Sequence, residues 1–338
     1  MSLLPFLHRV STRENLSASE AHAAMSVILE GAATEPLLSA FLIALRMKGE
    51  TAVELAGFAR AMRERAVFVD AGPDVIDTCG TGGDNAGTFN ISTVAALVMA
   101  GAGARVAKHG NRSITSRTGS SAEMMEALGV RFAMSPEEAA CAVREIGIGF
   151  LFAPHLHPAM KHAQPVRREL KLRTVFNLLG PLVNPARAQA QVIGAPSPET
   201  ARLMAEALAE LGTRRTFVVH GHDGLDEITT TAPTDVYEVS TGRVAKAVWT
   251  PADFGVPHAS MTALAGGDPA RNAEIAGQIL GGERSPARDI VLVNAAAGLV
   301  AAGIAKDLRA GMDAAADSID SGAASDRLAR LQEKFPLS

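Results

Sequence analysis

Between residues 77 and 121 the chain concentrates glycine, hydroxyl, amide and basic side chains, an inventory suited to holding a highly charged phosphate ester. Val75-Ile76 leads into Asp77-Thr78-Cys79 as the end of a short strand, and the apolar run from Val94 to Met99 reads as a helix beginning near Ser92-Thr93. Gly80, Gly82 and Gly83 therefore fall in a strand-to-helix loop. Lacking a Cβ, they let backbone N–H groups approach an anion, and the helix turns its unpaired N–H groups toward the same space. Lys108-His109-Gly110-Asn111-Arg112-Ser113 repeats the arrangement, a polar loop opening after the strand end Val106-Ala107. Two known phosphate loops fail on spacing. No glycine is followed by Lys-Ser or Lys-Thr as a Walker A loop requires, and Asn85 stands where a dinucleotide fingerprint needs its third glycine.

Asp226-Glu227 follows the turn-rich run His220-Gly221-His222-Asp223-Gly224-Leu225. Such a pair is either an exposed acidic turn or, beside a diphosphate, a set of hard oxygen ligands for Mg²⁺. Arg167 and Arg168 are either surface charges on a helix or, near a cleft, partners for a substrate carboxylate through paired hydrogen bonds. His155, His157 and His162, like His220 and His222, lack the partner spacing of a zinc site. Cys79 has no local base to activate it. Cys79 and Cys141 are too few for a disulfide framework, which points to a reducing, cytoplasmic setting.

The elements that must position these groups carry explicit signals. Ser17-x-x-Glu20 and Thr51-x-x-Glu54 are capping boxes, Gly31 is a stop, and Pro36 to Met47 supplies an apolar helix between them. From about Val75 onward short apolar runs alternate with helices, which favours an α/β domain with a mainly parallel sheet. Ser135-Pro136 and Ser197-Pro198 open helices; Gln191–Gly194, Thr216–His220 and Val236–Val239 are strand candidates. The Ala-rich end, 289–335, reads as two or three helices, and the Pro-, His- and Arg-rich segment 155–185 as a crossover packed against the N-terminal helices. The expected organisation is a small helical domain, 1–70 with a contribution from about 160–185, and a larger α/β domain, 71–338. A length of 338 residues suits two such domains, and the net charge of −4 argues against nucleic-acid binding. No apolar stretch reaches the ~18 residues of a membrane span, and residues 1–11 lack a secretory pattern.

GTGGD at 80–84, TFNIST at 88–93, KHGNRS at 108–113, HPAMK, VRREL and RTVFNLLGPLVNP within 157–185, GLDE at 224–227 and ALRMKGE at 44–50 together resemble the anthranilate phosphoribosyltransferase family over essentially the whole chain. The resemblance implies a nucleoside phosphorylase/phosphoribosyltransferase-like fold, a homodimer joined through the helical domain, and transfer of a phosphoribosyl group from 5-phosphoribosyl 1-diphosphate to anthranilate. It implies that Gly80, Gly83, Asp84, Thr88, Asn90, Ile91, Ser92, Thr93, Lys108, His109, Gly110, Asn111, Arg112, Ser113, Ile114, Thr115, Ser116 and Ser120 surround the donor. Ser92, Asp226 and Glu227 match magnesium positions, with two Mg²⁺ expected per subunit, and Lys108, Asp226 and Glu227 are the expected catalytic groups. Asn111 and Arg167 match anthranilate positions, with His109, His157 and Pro181 along its channel; His109 is a candidate to accept a proton late.

The chain departs from the family pattern at Thr115, at Glu123 in place of aspartate, and at Lys171 in place of glycine before Arg173. The last implies an altered turn. A pyrimidine nucleoside phosphorylase would share the architecture without needing Asp226-Glu227, and nucleic-acid-binding relatives tend to be basic and to lose Asn111, Arg167 or the acidic pair.

Overall fold

Local signals mark where the first four helices start: capping boxes at the second and fourth, and a proline in the first turn of the first and third. In the computed structural model, which describes residues 2–82, 86–112 and 119–337, α1 (Leu4–Ser11), α2 (Ala18–Leu29), α3 (Glu35–Lys48) and α4 (Ala52–Arg65) open the chain. Ser17 and Thr51 close the expected capping boxes with Glu20 and Glu54, satisfying N–H groups that the first turn leaves unpaired. Glu54 does more than cap. Fully buried, it also accepts from Leu16 N at 2.9 Å and from Lys48 Nζ at 2.9 Å, tying α4 to the end of α3 and to the connection between α1 and α2.

A seven-stranded sheet follows, with spatial order β3-β2-β1-β4-β5-β6-β7. Strands β1 (Val75–Gly80), β2 (Arg105–Gly110), β3 (Ile148–Phe152), β4 (Ala190–Gly194) and β5 (Arg215–Gly221) run parallel, while β6 (Thr234–Ser240) and β7 (Arg243–Trp249) add antiparallel. The expected mainly parallel α/β architecture is borne out. One detail differs: Lys108, His109 and Gly110 continue β2, paired with Phe150, Leu151 and Phe152, where a loop was expected.

Helix α5 (Ile91–Gly101) links β1 to β2, and α6 (Ser121–Ala127) and α7 (Pro136–Ile146) link β2 to β3. The crossover to β4 carries α8 (Ala153–Leu156), α9 (Gln164–Leu170) and α10 (Val175–Leu179). Beyond β4 come α11 (Pro198–Leu211), α12 (Pro269–Leu280), α13 (Pro286–Ala302), α14 (Leu308–Asp320) and α15 (Ala323–Lys334), so the Ala-rich end forms three helices. Val94, Leu97, Val98 and Leu299 of α5 and α13 belong to one apolar core with the sheet. A second core joins Met25, Phe41 and Phe58 of α2 to α4 with Val166 and Phe176 of the crossover and Met204 and Leu208 of α11. The crossover therefore does pack against the N-terminal helices.

This order has one functional consequence. From β1 the chain moves outward in one direction through β2 and β3, then returns to place β4 on the other side of β1. In open α/β sheets the crevice at such a reversal, beyond the carboxyl ends of the strands, is where ligands bind. Gly80, Gly110 and Gly194 are the carboxyl-terminal residues of β1, β2 and β4.

Candidate active site

The reversal between β1 and β4 is filled by the acidic turn at Asp226-Glu227, and two glycines make room for it. A Cβ on Gly194 would lie 1.7 Å from the backbone oxygen of Asp226, and one on Gly80 would lie 2.5 Å from its carboxylate Oδ2. The neighbouring carboxylate, Glu227 Oε1, accepts from Ser92 N at 3.2 Å. A negative group thus caps the positive end of α5, where a helix favours it.

Lys108 closes the cluster from below. Its side chain is 2% exposed; the ammonium donates to Thr78 O and lies 3.3 Å from Ser92 Oγ. Burial pulls its pKa below the ordinary lysine range against the attraction of Asp77, Cys79, Glu227 and Asp226. Asp77, which sequence reasoning did not single out, is fully buried and accepts from His109 N at 3.1 Å and Asn184 Nδ2 at 2.8 Å. Burial raises its carboxyl above the aspartate range, opposed by Asn184, Lys108 and the His109 N–H. Burial and the charge of Asp77 push the Cys79 thiol well above the ordinary value, which disfavours the thiolate a nucleophile needs.

The remaining donor-side candidates divide by what they touch. Asn90 precedes α5 and bridges Gly119 O at 3.3 Å and Asn272 Nδ2 at 3.1 Å. Thr93 Oγ1 is buried without a hydrogen-bond partner among the described residues, as is Thr81 Oγ1; a buried hydroxyl left this way costs energy until a ligand or water supplies a partner. Ile91 is buried in the first turn of α5 and Thr88 pairs with Ala265 in an isolated bridge. Ser120 is engaged as the N-cap of α6 in a capping box with Glu123, whose Oε2 accepts from Ser120 N at 2.6 Å. The glutamate that departs from the family's aspartate is thus part of a cap. Gly110 ends β2, and Arg112 pairs with Glu126. Gly83, Asp84, Ser113, Ile114, Thr115 and Ser116 lie outside the described residues.

A second wall is built from the crossover. His109 Nδ1 lies 3.1 Å from Gly180 O and its Nε2 lies 3.2 Å from His157 Nε2. Because a carbonyl only accepts, His109 carries its proton on Nδ1 and receives the His157 Nε2–H on its other nitrogen. The lone pair that a late proton acceptor needs is therefore occupied. Burial lowers the pKa of His109 to about 4 and, with His109 beside it, that of His157 to about 3. In the unfolded chain both rings protonate near 6.5, so their stabilising contribution is complete above pH 6.5 and is lost as pH falls toward 4. Urea unfolding is expected to lose on the order of 3 kcal/mol per ring across that window, with a flatter profile in His157→Asn. Coincident profiles would assign the acid sensitivity elsewhere.

Arg167 is half-buried on α9, its guanidinium 5.3 Å from the Phe176 ring centroid, and burial lowers its pKa. No ion pair with a carboxylate is found for either Arg167 or Arg168 among the described residues; the two differ in burial, Arg168 being exposed. Phe176 belongs to α10, which runs into Gly180, the acceptor of His109, and the buried Pro181. Asn111 is exposed just beyond β2, its Oδ1 accepting Arg112 N at 2.8 Å. Lys171 takes a left-handed backbone, φ +49°, so the turn expected to differ keeps a conformation that glycine favours.

The donor set suits a hard cation. Asp226, Glu227 and Ser92 bring two carboxylates and a hydroxyl to this turn, and the described residues contain no cluster of three or more His, Cys, Asp or Glu side chains. Carboxylate and hydroxyl oxygens are the hard donors that suit Mg²⁺, an ion that keeps waters and shares substrate phosphates.

Two family models match the chain: "Glycosyl transferase family, helical bundle domain" over residues 4–66 and "Glycosyl transferase family, a/b domain" over residues 72–325. An anthranilate phosphoribosyltransferase of Solibacter usitatus (strain Ellin6076) is 60% identical over 336 residues, 98% of each chain. The crystal structure of anthranilate phosphoribosyltransferase from Thermus thermophilus superposes with a TM-score of 0.91 at 43% identity, covering 97% of this chain and 98% of the other. The Saccharomyces cerevisiae enzyme in complex with PRPP and Mg superposes with a TM-score of 0.88 at 30% identity, covering 98% and 97%.

Proposed function

This chain belongs to the anthranilate phosphoribosyltransferase family, and from that premise we propose how its own residues divide the work. The reaction moves the 5-phosphoribosyl group of 5-phosphoribosyl 1-diphosphate to the amino group of anthranilate, giving N-(5-phosphoribosyl)anthranilate and diphosphate, the second step of tryptophan biosynthesis from chorismate. The observation that carries the assignment of residues is the convergence of Ser92, Lys108, Asp226 and Glu227 at the reversal between β1 and β4.

As the ribosyl C1–O bond breaks, negative charge grows on the departing diphosphate. Lys108 and the positive end of α5 lie there before reaction, so they stabilise that charge with little reorganisation. Bound Mg²⁺, two per subunit in this reading, supplies further neutralisation of the diphosphate, with Ser92, Asp226 and Glu227 as its protein ligands. The donor site takes in Gly80, Gly83, Asp84, Thr88, Asn90 to Thr93, Lys108 to Ser116 and Ser120. Thr93 Oγ1, buried without a partner among the described residues, supports the inclusion of Thr93.

On the acceptor side Arg167 binds the anthranilate carboxylate and Asn111 orients its ring, with His109, His157 and Pro181 walling the channel. The half-burial of its guanidinium supports this choice of Arg167 over the exposed Arg168. The amine of anthranilate is neutral at pH 7 and needs orientation more than deprotonation. Residues 1–70, with about 160–185, form the helical unit in this reading and 71–338 the α/β unit; Leu4 and Met47, exposed on the former, support pairing of two copies there. The protein acts in the cytoplasm, without nucleic acid or membrane; no helix of the described residues is long and apolar enough to cross a bilayer.

Loss of anthranilate fluorescence on adding donor and Mg²⁺ to purified protein, abolished by EDTA, is the direct test. Arg167→Ala should weaken use of anthranilate by about 2–3 kcal/mol, the range of a charge-assisted contact, while leaving the KM for the donor near that of the parent. A main effect on the donor would remove Arg167 from the acceptor site.

A further inference from the structure

We propose that Arg173 is a positioning residue for the glycine loop, holding the loop's peptide planes for diphosphate, and that Arg46 extends this hold to the helical layer. The inference rests on the phosphoribosyl diphosphate reading of the loop. Arg173 Nη1 donates to Gly82 O at 2.7 Å and Nη2 to Thr81 O at 3.2 Å, so one guanidinium spans two consecutive carbonyls. The backbone oxygen of Arg173 in turn accepts from Arg46 Nη1 at 2.7 Å. Arg46 lies on α3 and Arg173 in the turn between α9 and α10, so the chain of bonds runs from the helical layer through the crossover into the end of β1.

The physical reason for such a hold lies in the loop. Gly82 has φ +66°, a conformation glycine reaches because it lacks a Cβ, and the same freedom would let the peptide planes rotate. In a trans peptide the N–H points opposite the C=O. A donor that fixes Thr81 O therefore also fixes the direction of the Gly82 N–H, away from Arg173. Donors aimed before the charge develops are what electrostatic catalysis requires. The planar fork of arginine can engage two neighbouring carbonyls at once; the point charge of lysine cannot hold both planes in the same way. The turn that delivers Arg173 depends on Lys171, whose left-handed backbone ends α9 with its N–H on Arg167 O at 3.3 Å. Arg173 is exposed, so its loss leaves no cavity in either core.

The test compares the parent with Arg173→Ala, Arg173→Lys and Arg46→Ala. Calorimetry gives the Kd of 5-phosphoribosyl 1-diphosphate in Mg²⁺, kinetics give the anthranilate KM at saturating donor, and melting temperature reports the fold. Both Arg173 variants should bind the donor about tenfold more weakly, with the anthranilate KM changed by less than about twofold and melting unaltered. Arg46→Ala should weaken the donor by about threefold in the parent and by nothing further in Arg173→Ala, the signature of one shared path. Parent-like donor affinity in Arg173→Ala would overturn the inference while leaving the reaction intact. Full recovery in Arg173→Lys would also overturn it, reducing the residue to a charge. A parent that binds no donor would overturn the functional reading and this inference with it.

Discussion

Replacing Asp226 and Glu227 together by alanine is expected to lower kcat/KM by about a thousandfold or more and to remove its dependence on Mg²⁺. The two carboxylates sit on one turn, one against Gly80 at the end of β1, the other on the N–H of Ser92. Both also pull on Lys108, so removing them leaves Asp77 as the main carboxylate opposing burial of its ammonium. Asp226→Asn with Glu227→Gln separates charge from shape. The amides keep the bulk of the turn but lose the anionic oxygens that a hard cation needs. Activity should fall nearly as far in that pair as in the alanine pair, and donor binding measured by calorimetry should cease to respond to Mg²⁺. A double amide variant with parent activity and an unchanged Mg²⁺ response would remove both residues from the site.

Local signals in this chain were legible because their causes are local. Ser17, Thr51 and Ser135 each meet a glutamate three residues on, and each starts a helix with a completed capping box. Gln191–Gly194, read as a strand from its apolar run, is β4 within one residue. Lys108-His109-Gly110, expected as a loop, is strand because pairing with β3, far away in the chain, decides it. β7 carries little local signal for a related reason: it is an exposed edge strand whose Arg243 and Lys246 break up its apolar residues. At the site, the types of Lys108, Asp226 and Glu227 announced their chemistry. Asp77 and Asn184 did not, since a buried carboxylate held by an amide 107 positions later has no local signature. Lys171 was a visible departure from the family pattern, yet its backbone takes the left-handed turn anyway.

Gly194 illustrates the same limit with a larger consequence, because in sequence it is only the last residue of a strand. Gly194→Ala should cost about a hundredfold or more in kcat and about 1–3 kcal/mol in stability. Its φ lies outside the left-handed region, so alanine can adopt the backbone; the penalty is steric. The new Cβ would lie 1.7 Å from Asp226 O, 2.6 Å from its carbonyl carbon and 3.0 Å from its Cβ. Main-chain atoms cannot rotate aside as a side chain does, so the acidic turn must be displaced by more than about 1 Å, enough to misalign reacting groups severely. Gly80→Ala offers the contrast. There the Cβ meets the carboxylate end of Asp226 at 2.5 Å, which a change of rotamer can relieve, so its stability cost should be the smaller of the two. Measuring kcat at saturating Mg²⁺ together with melting temperature for both variants orders them directly. A Gly194→Ala protein with the parent's kcat and melting temperature would refute the close approach of the acidic turn to β4, and with it the account of why these two carboxylates are held at the reversal of the sheet.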